Sequence, residues 1–184
     1  GGPPHWGVCL RLFPMSQSVV PVGWGGRRAV AGVLEKAGAH AAAKRIDRSV
    51  ILGWRLELVR FELARQVQVA ADQAKNGSAR LASAEPPKFE DNETTFDQLK
   101  ERLAKTVAYL KTVDTKAIDA SAERVITIPL GGTNKGEMKG ADYLNHFALP
   151  NFYFHLTAAY ACVRACGVDI GKRDFLGSIP LKRL

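Results

Sequence analysis

The chain has 184 residues, of which 46% are hydrophobic and 24% charged, and these are the proportions of one ordinary globular domain. No apolar run reaches the roughly 20 residues that span a bilayer, so we expect no membrane segment. The formal net charge of +8 raises the question of nucleic acid. Because the basic residues are scattered among acidic ones, we attribute the charge to solubility and do not expect nucleic-acid binding.

The cysteines and the first residues bear on location and domain limits. Three cysteines (Cys9, Cys162 and Cys166) form an odd set without disulfide-framework spacing, which favours a reducing, cytoplasmic compartment. Residues 1–14 contain two adjacent prolines and no apolar periodicity. We expect them to be a disordered extension or a wrongly assigned start ahead of Met15, and residues 15–184 to form a single domain.

Three helices are predicted in the first two thirds of the chain. Apolar residues recur every three or four positions in 18–43, 58–84 and 91–113, which is the pattern of amphipathic helices. Glycines at 23, 25 and 26 weaken the first of them. Pro86 and Pro87 end the second, and Asp91 or Asn92 is the expected cap of the third.

The period then changes to two. Val125 to Leu130 alternates as a strand does, residues 131–134 favour a turn, and Lys135 to Lys139 returns as a second strand. The glycines of this predicted hairpin do not indicate a phosphate loop, since no Gly-Lys-Ser/Thr ending follows them.

The stretch from Tyr143 to Gly167 is the most apolar long segment and predicts a buried last helix. Pro150 lacks an amide donor, so the helix either kinks at Leu149 or begins again with Pro150 in its first turn. Asn151 and His155 are four residues apart and therefore share one face of that helix.

Several segments resemble a bacterial family of unknown function that is grouped with the DinB/YfiT-like superfamily of metalloenzymes. The segments are Phe61–Ala70, Asp72, Ala74-Lys75, Pro86-Pro87, Glu90–Thr95, His146–His155 and Gly171–Gly177. The resemblance covers about residues 30–177. It departs at residues 22–28, where glycines replace the expected apolar residues and put the packing of the first helix in question.

The resemblance implies an all-α fold: an up-down-down-up four-helix bundle of the DinB-like type, with a small β-hairpin before the last long helix. It also implies a metal site built from one histidine of the second helix and a His-x-x-x-His pair of the fourth. His155 matches the second histidine of that pair, Asn151 stands in place of the first, and Asp72 is the candidate on the second helix. The implied site is a degenerate one for a divalent metal ion.

Donor chemistry weakens this site, because a neutral carboxamide is a poor ligand for zinc or nickel. The alternative is structural: His155 and Asn151 are buried polar groups that hydrogen-bond each other and Asp72 or Gln68. We therefore expect a bundle that binds a metal or a small molecule, as a homodimer. Two alternatives remain open, a non-catalytic dimeric bundle with a structural or stress-related role and a thiol-dependent transferase-like enzyme.

Overall fold

The structure is a computed structural model that describes residues 14–177, without the side chains of residues 19–24, 27 and 28. The expectation of a disordered extension at residues 1–14 therefore falls, except for Pro14, outside the described residues. Within residues 14–177, no helix has both the length and the apolar character needed to cross a membrane.

The described chain is mostly helical. Its helices are α1 (Met15–Lys44), α2 (Arg48–Leu52), α3 (Leu63–Ala82), α4 (Phe96–Leu110), α5 (Thr115–Ala120), α6 (Gly140–Asp142), α7 (Leu149–Ala165) and α8 (Lys172–Leu176). A two-stranded antiparallel sheet, β1 (Val125–Gly131) and β2 (Asn134–Lys139), precedes the last long helix. The predicted all-α class with a hairpin at this place is confirmed.

The four long helices pack around one main core. Helix α3 lies along α7, and both α1 and α3 also pack on α4. The core includes Leu34, Leu63, Val67, Leu99, Leu156, Cys162 and Val163. A second cluster, at the hairpin end, buries Leu81, Ile118, Ile126 and Tyr143. Burial of this apolar surface is the main force that holds the bundle together.

Helix α3 begins five residues later than its pattern predicts. Residues 53–62 instead form a loop that hydrogen bonds hold in place. Leu63 N–H donates to the Trp54 carbonyl at 2.9 Å, and the Arg55 side chain donates to the Arg60 carbonyl and to the Glu62 carboxylate. Apolar side chains counted as helical, such as Leu58, therefore lie outside the core. Local hydrogen bonds of this kind compete with helix formation where no core face is available.

The start of α4 also differs from the prediction. Thr95, not Asp91 or Asn92, is the cap: its hydroxyl accepts from Gln98 N–H, while the Gln98 side chain accepts from Thr95 N–H. This reciprocal pair is a capping box, which satisfies two amide donors that the helix leaves free. Asp91 instead forms ion pairs with arginines of α3 and α4.

The last long helix changes from π-helical to α-helical winding next to its proline. Residues Tyr143–Ala148 form a π-helical segment, and α7 begins at Leu149 with Pro150 in its first turn. Pro150 therefore lies in the first α-helical turn, as the second of the two predicted solutions has it, where proline is well tolerated. Ala148 and Leu149 keep helical dihedral angles, so the helix changes its winding there without a break. The π-helical segment places the irregularity directly before Asn151 and His155. Such segments often lie next to functional sites.

Candidate functional site

His155 on α7 pairs with Gln66 on α3. The imidazole Nδ1 lies 2.7 Å from Oε1 of the buried Gln66 side chain, whose Nε2 donates to the Phe61 carbonyl at 3.3 Å. Since the amide nitrogen is used at Phe61, the amide oxygen faces the ring and Nδ1 carries the proton. Nε2 is then the unprotonated nitrogen, the one able to accept a proton or a hydrogen bond.

The surroundings of His155 keep it neutral. Burial lowers the pKa of the imidazole, and the nearby Arg65 charge lowers it further. Phe61 stacks against the ring with 6.4 Å between centroids, and Phe154 meets it edge-on at 5.1 Å. The result is a neutral imidazole of fixed tautomer held between two aromatic side chains, which suits an acceptor or general base.

Asp72, predicted as the metal ligand of α3, is occupied by cations of the protein. Its Oδ1 lies 3.0 Å from NH2 of the buried Arg102 and 3.1 Å from Nζ of Lys75. These are ion pairs without aligned hydrogen bonds, because Asp72 Oδ1 has no hydrogen-bond partner among the described residues. A metal ion at Asp72 would have to compete with two positive charges already in contact with the carboxylate.

Asn151 and His155 also have separate partners. The Asn151 amide donates to the Phe147 carbonyl at 2.7 Å, one turn earlier, and His155 pairs with Gln66. In residues 14–177 no group of three or more His, Cys, Asp and Glu side chains could hold a metal ion. The divalent-metal site at Asp72, Asn151 and His155 stays a prediction, and these contacts do not suit it. The structural alternative names the wrong partner, since Gln66 and not Asn151, Asp72 or Gln68 binds His155.

An open groove of about 590 Å³ lies beside the His155–Gln66 pair. Its walls come from the 53–62 loop, the first turn of α3 and the outer face of α7. The lining residues are Leu56, Glu57, Arg60, Gln66, Tyr153, Phe154, Thr157, Ala158 and Ala161. The groove is thus mostly apolar, with a few polar groups that include the hydrogen-bond partner of His155. We refer to it below as the groove.

Comparison with known proteins identifies the family. The model of a family described as a domain of unknown function, DUF1993, matches residues 15–176. The chain belongs to the DUF1993 family. A solved structure described as a DinB family member from Shewanella denitrificans is 34% identical, with a TM-score of 0.85 over 95% of this chain and 98% of that one. The recognition of a domain of unknown function within the DinB-like superfamily is confirmed. Among curated proteins, none matches this chain significantly.

The acidic segment that helped to indicate the DUF1993 family has a structural role here. Arg102 of α4 is 2% exposed and contacts Glu93 at 2.9 Å, Asp91 at 2.9 Å and the Glu90 carbonyl at 3.0 Å. Burial disfavours the charged form of Arg102, but the carboxylates of Glu93, Asp72 and Asp91 outweigh burial and raise the pKa of the guanidinium. The connection between α3 and α4 is therefore fixed to the bundle by one buried guanidinium.

Sequence reasoning on this DUF1993 chain missed the groove because it placed residues 58–62 in a helix. The available signal was composition: residues 54–62 interleave apolar Trp, Leu, Val and Phe with Arg and Glu, and parts of this pattern fit strand alternation and helical spacing equally, so periodicity does not assign the segment. Of the tyrosines in the last helical stretch, Tyr153 lines the groove, whereas Tyr143 is fully buried. His146 lies in the π-helical segment and is exposed.

Cys162 on α7 and Cys166 directly after it lie in apolar surroundings that do not activate a thiol. Cys162 is fully buried in the main core and Cys166 packs against that core. Burial raises the pKa of both thiols, which disfavours the nucleophilic thiolate at neutral pH. The two cysteines are therefore small apolar residues of the core and its edge.

Proposed function

We propose that this DUF1993 protein binds a small, largely apolar organic molecule in the groove, with its polar end at the polar groups of the groove wall, next to the His155–Gln66 pair. The observation that carries the proposal is the junction of the groove with the His155–Gln66 hydrogen bond. Its volume of about 590 Å³ is within the usual range of ligand sites, roughly 300–1,000 Å³. Apolar walls with a few polar groups at one side are the usual composition of such sites.

The groove residues favour a particular ligand chemistry. Leu56, Tyr153 and Phe154 offer an apolar and aromatic surface, which suits a ring or a short hydrocarbon chain. Arg60 and Thr157 supply donors, and Glu57 supplies an acceptor. A ligand with one hydroxyl, carbonyl or carboxylate group would satisfy a donor of this set without leaving a buried charge unpaired.

A fluorescent probe tests this proposal directly. Wild-type protein is titrated with N-phenyl-1-naphthylamine, a neutral dye that brightens in apolar sites. We expect saturable binding at one site per chain. Ala158→Trp, which fills the groove, should weaken binding at least tenfold. Ala104→Trp is the matched control, since Ala104 is an exposed α4 residue outside the groove. Absence of saturable binding, or equal binding by the two variants, would contradict the proposal.

The metal prediction is tested on the same preparations. Elemental analysis of protein purified without chelator, and of His155→Ala, measures divalent metal per chain. One equivalent of metal in the wild type that is lost in His155→Ala would support the predicted metal site at Asp72, Asn151 and His155. Because Asp72 already neutralises Arg102 and Lys75, we expect less than a tenth of an equivalent in either protein.

The homodimer is part of the same proposal. The groove lies beside apolar side chains that the described chain leaves exposed, among them Phe154 and Leu56. Contiguous exposed apolar surface on a folded domain usually marks an interaction site. A dimer that covers this surface is consistent with the homodimer and small-molecule ligand expected from the sequence. The cytoplasmic location expected from the cysteines likewise remains a prediction.

A further inference from the structure

A face of exposed apolar side chains surrounds the groove, and we call it the apolar face. Its members are Leu56, Leu58, Val59, Phe61, Tyr153 and Phe154. Leu58 is 91% exposed and Val59 82%. They lie between Glu57 and Arg60, which line the groove, but they do not line it themselves. Phe61 and Phe154 both contact the His155 ring, so the face is continuous from the loop to α7.

The loop that presents Leu58 and Val59 is held in place by hydrogen bonds. Arg55 donates to the Arg60 carbonyl at 3.1 Å and to Glu62 at 2.6 Å, and Arg60 N–H donates to the Glu57 carbonyl at 3.0 Å. The two apolar side chains are therefore displayed by an ordered turn. Ordering before binding lowers the entropy cost of forming an interface.

We propose that a second copy of this chain covers the groove, with Leu58 and Val59 of the partner subunit packed over its open side. The proposal rests on the proposed function, because it makes the ligand site complete only in the dimer. One face carries both a protruding apolar pair and an apolar recess. A two-fold interface requires the same patch to supply both complementary parts, and this face does so.

Charge on the apolar face also favours a second copy as the occupant. Its charged neighbours cancel: Arg55 pairs with Glu62 at 2.6 Å, and Arg60 lies 3.8 Å from Glu57. The chain as a whole carries +8, so two copies repel each other over most of their surfaces. A neutral apolar face is where that repulsion is weakest. An acidic macromolecule would instead be recognised by a basic face.

Composition supports the same occupant. Phe61, Tyr153 and Phe154 give the face three aromatic side chains, and Arg60 lies at its edge. Aromatic residues and arginine are enriched at the centres of protein–protein interfaces, where they fill pockets on the partner.

Sedimentation velocity over a concentration series tests the interface. We expect wild type to be a dimer and the double variant Leu58→Asp/Val59→Asp to be a monomer with unchanged circular dichroism, since both side chains are almost free of contacts within their own chain. The double variant Val125→Asp/Leu130→Asp is the matched control. It adds the same charge at two residues of the hairpin that are 57% and 59% exposed, and it should remain dimeric.

Binding of N-phenyl-1-naphthylamine to the same proteins tests the covering role. Leu58→Asp/Val59→Asp leaves its own groove lining intact, so at least tenfold weaker dye binding shows that the partner contributes. A monomeric wild type, a dimer that survives Leu58→Asp/Val59→Asp, or full dye affinity in the monomeric variant would each overturn the inference while leaving the groove as a ligand site. A dimer lost in Leu58→Asp/Val59→Asp, with no saturable dye binding in wild type, would keep the interface and remove the proposed function.

Discussion

Gly26 of α1 lies against the ring of Phe152 at the start of α7. A Cβ atom at residue 26 would lie 2.6 Å from Cζ and 3.1 Å from Cε1 of Phe152. Glycine here allows the two helices to approach and the ring to be buried. Residues 22–28, where the sequence departs from the family pattern, lie inside the continuous helix α1. At residue 26 the glycine that replaces an apolar residue allows close packing against Phe152.

Substitution of Gly26 tests this contact. Gly26→Ala gains helix propensity but forces the Phe152 ring to move, so we expect a net loss of about 1–2 kcal/mol in the free energy of unfolding. Gly25→Ala is the control, because nothing lies within 4 Å of a Cβ at that position. It should stabilise the protein by about 0.5–1 kcal/mol. Urea unfolding measures both, and a stabilised Gly26→Ala would contradict the packing argument.

The sequence predicted the secondary structure well but did not predict the groove or the partner of His155, and both outcomes have physical reasons. Periodicity located the long helices and the hairpin, because a buried face repeats every 3.6 or two residues wherever it occurs. It could not locate the groove, since Leu58 and Val59 are apolar yet face outward. Nor could it pair His155 with Gln66, 89 residues away, because such contacts depend on how two helices are rotated against each other.

Removal of the buried guanidinium should be costly. In Arg102→Met, Asp72, Asp91 and Glu93 lose their shared cation, and the partly buried carboxylates repel one another. We expect a loss of about 3–5 kcal/mol in the free energy of unfolding. Burial opposes ionisation of Asp91, but contacts with Arg65 and Arg102 lower its pKa overall. Part of the stability of this cluster is therefore lost as pH falls below the ordinary range of a carboxylate, about 4.

Lys100→Met is the control on the same helix. Lys100 pairs with Asp97 at 2.7 Å, but that carboxylate is 78% exposed, so water and salt screen the pair and its loss should change stability little. Chemical denaturation at pH 7 compares the two variants. Equal losses would show that Arg102 does not hold the connection between α3 and α4.

His155 should make stability depend on pH between mildly acidic and neutral conditions. Its pKa in the folded protein is lowered by burial and by Arg65, whereas the unfolded chain has the ordinary value near 6.5. As pH falls below 6.5, the unfolded state takes up a proton that the folded state does not. The stability is therefore full above pH 6.5 and declines below it, with a slope of at most about 1.4 kcal/mol per pH unit, until the folded pKa is reached.

The measurement is the difference in melting temperature between wild type and His155→Gln from pH 5 to pH 8. Glutamine keeps a hydrogen-bonding group beside Gln66 but does not titrate. We expect the melting temperature of the wild type to fall relative to that of His155→Gln as the pH is lowered. A difference that stays constant over this range would mean that His155 titrates equally in both states.

Gly140, the first residue of α6, is expected to tolerate no side chain at all. A Cβ there would lie 2.1 Å from the backbone oxygen of Ser121 and 3.2 Å from its Oγ. Gly140→Ala should cost about 3 kcal/mol or more in the free energy of unfolding. Gly171→Ala is the control, since nothing lies within 4 Å of a Cβ at Gly171, and it should change stability little.

Second-site changes separate the two glycine contacts. Phe152→Leu should relieve most of the cost of Gly26→Ala, because the obstructing atoms belong to the far end of a side chain. Ser121→Ala should not relieve Gly140→Ala, since the closest obstructing atom is a main-chain oxygen that alanine also carries. Double-mutant cycles in urea give the two coupling energies, which we expect to be at least about 1 kcal/mol for the first pair and near zero for the second. Rescue of Gly140→Ala by Ser121→Ala would show that the hydroxyl, not the backbone, excludes the side chain.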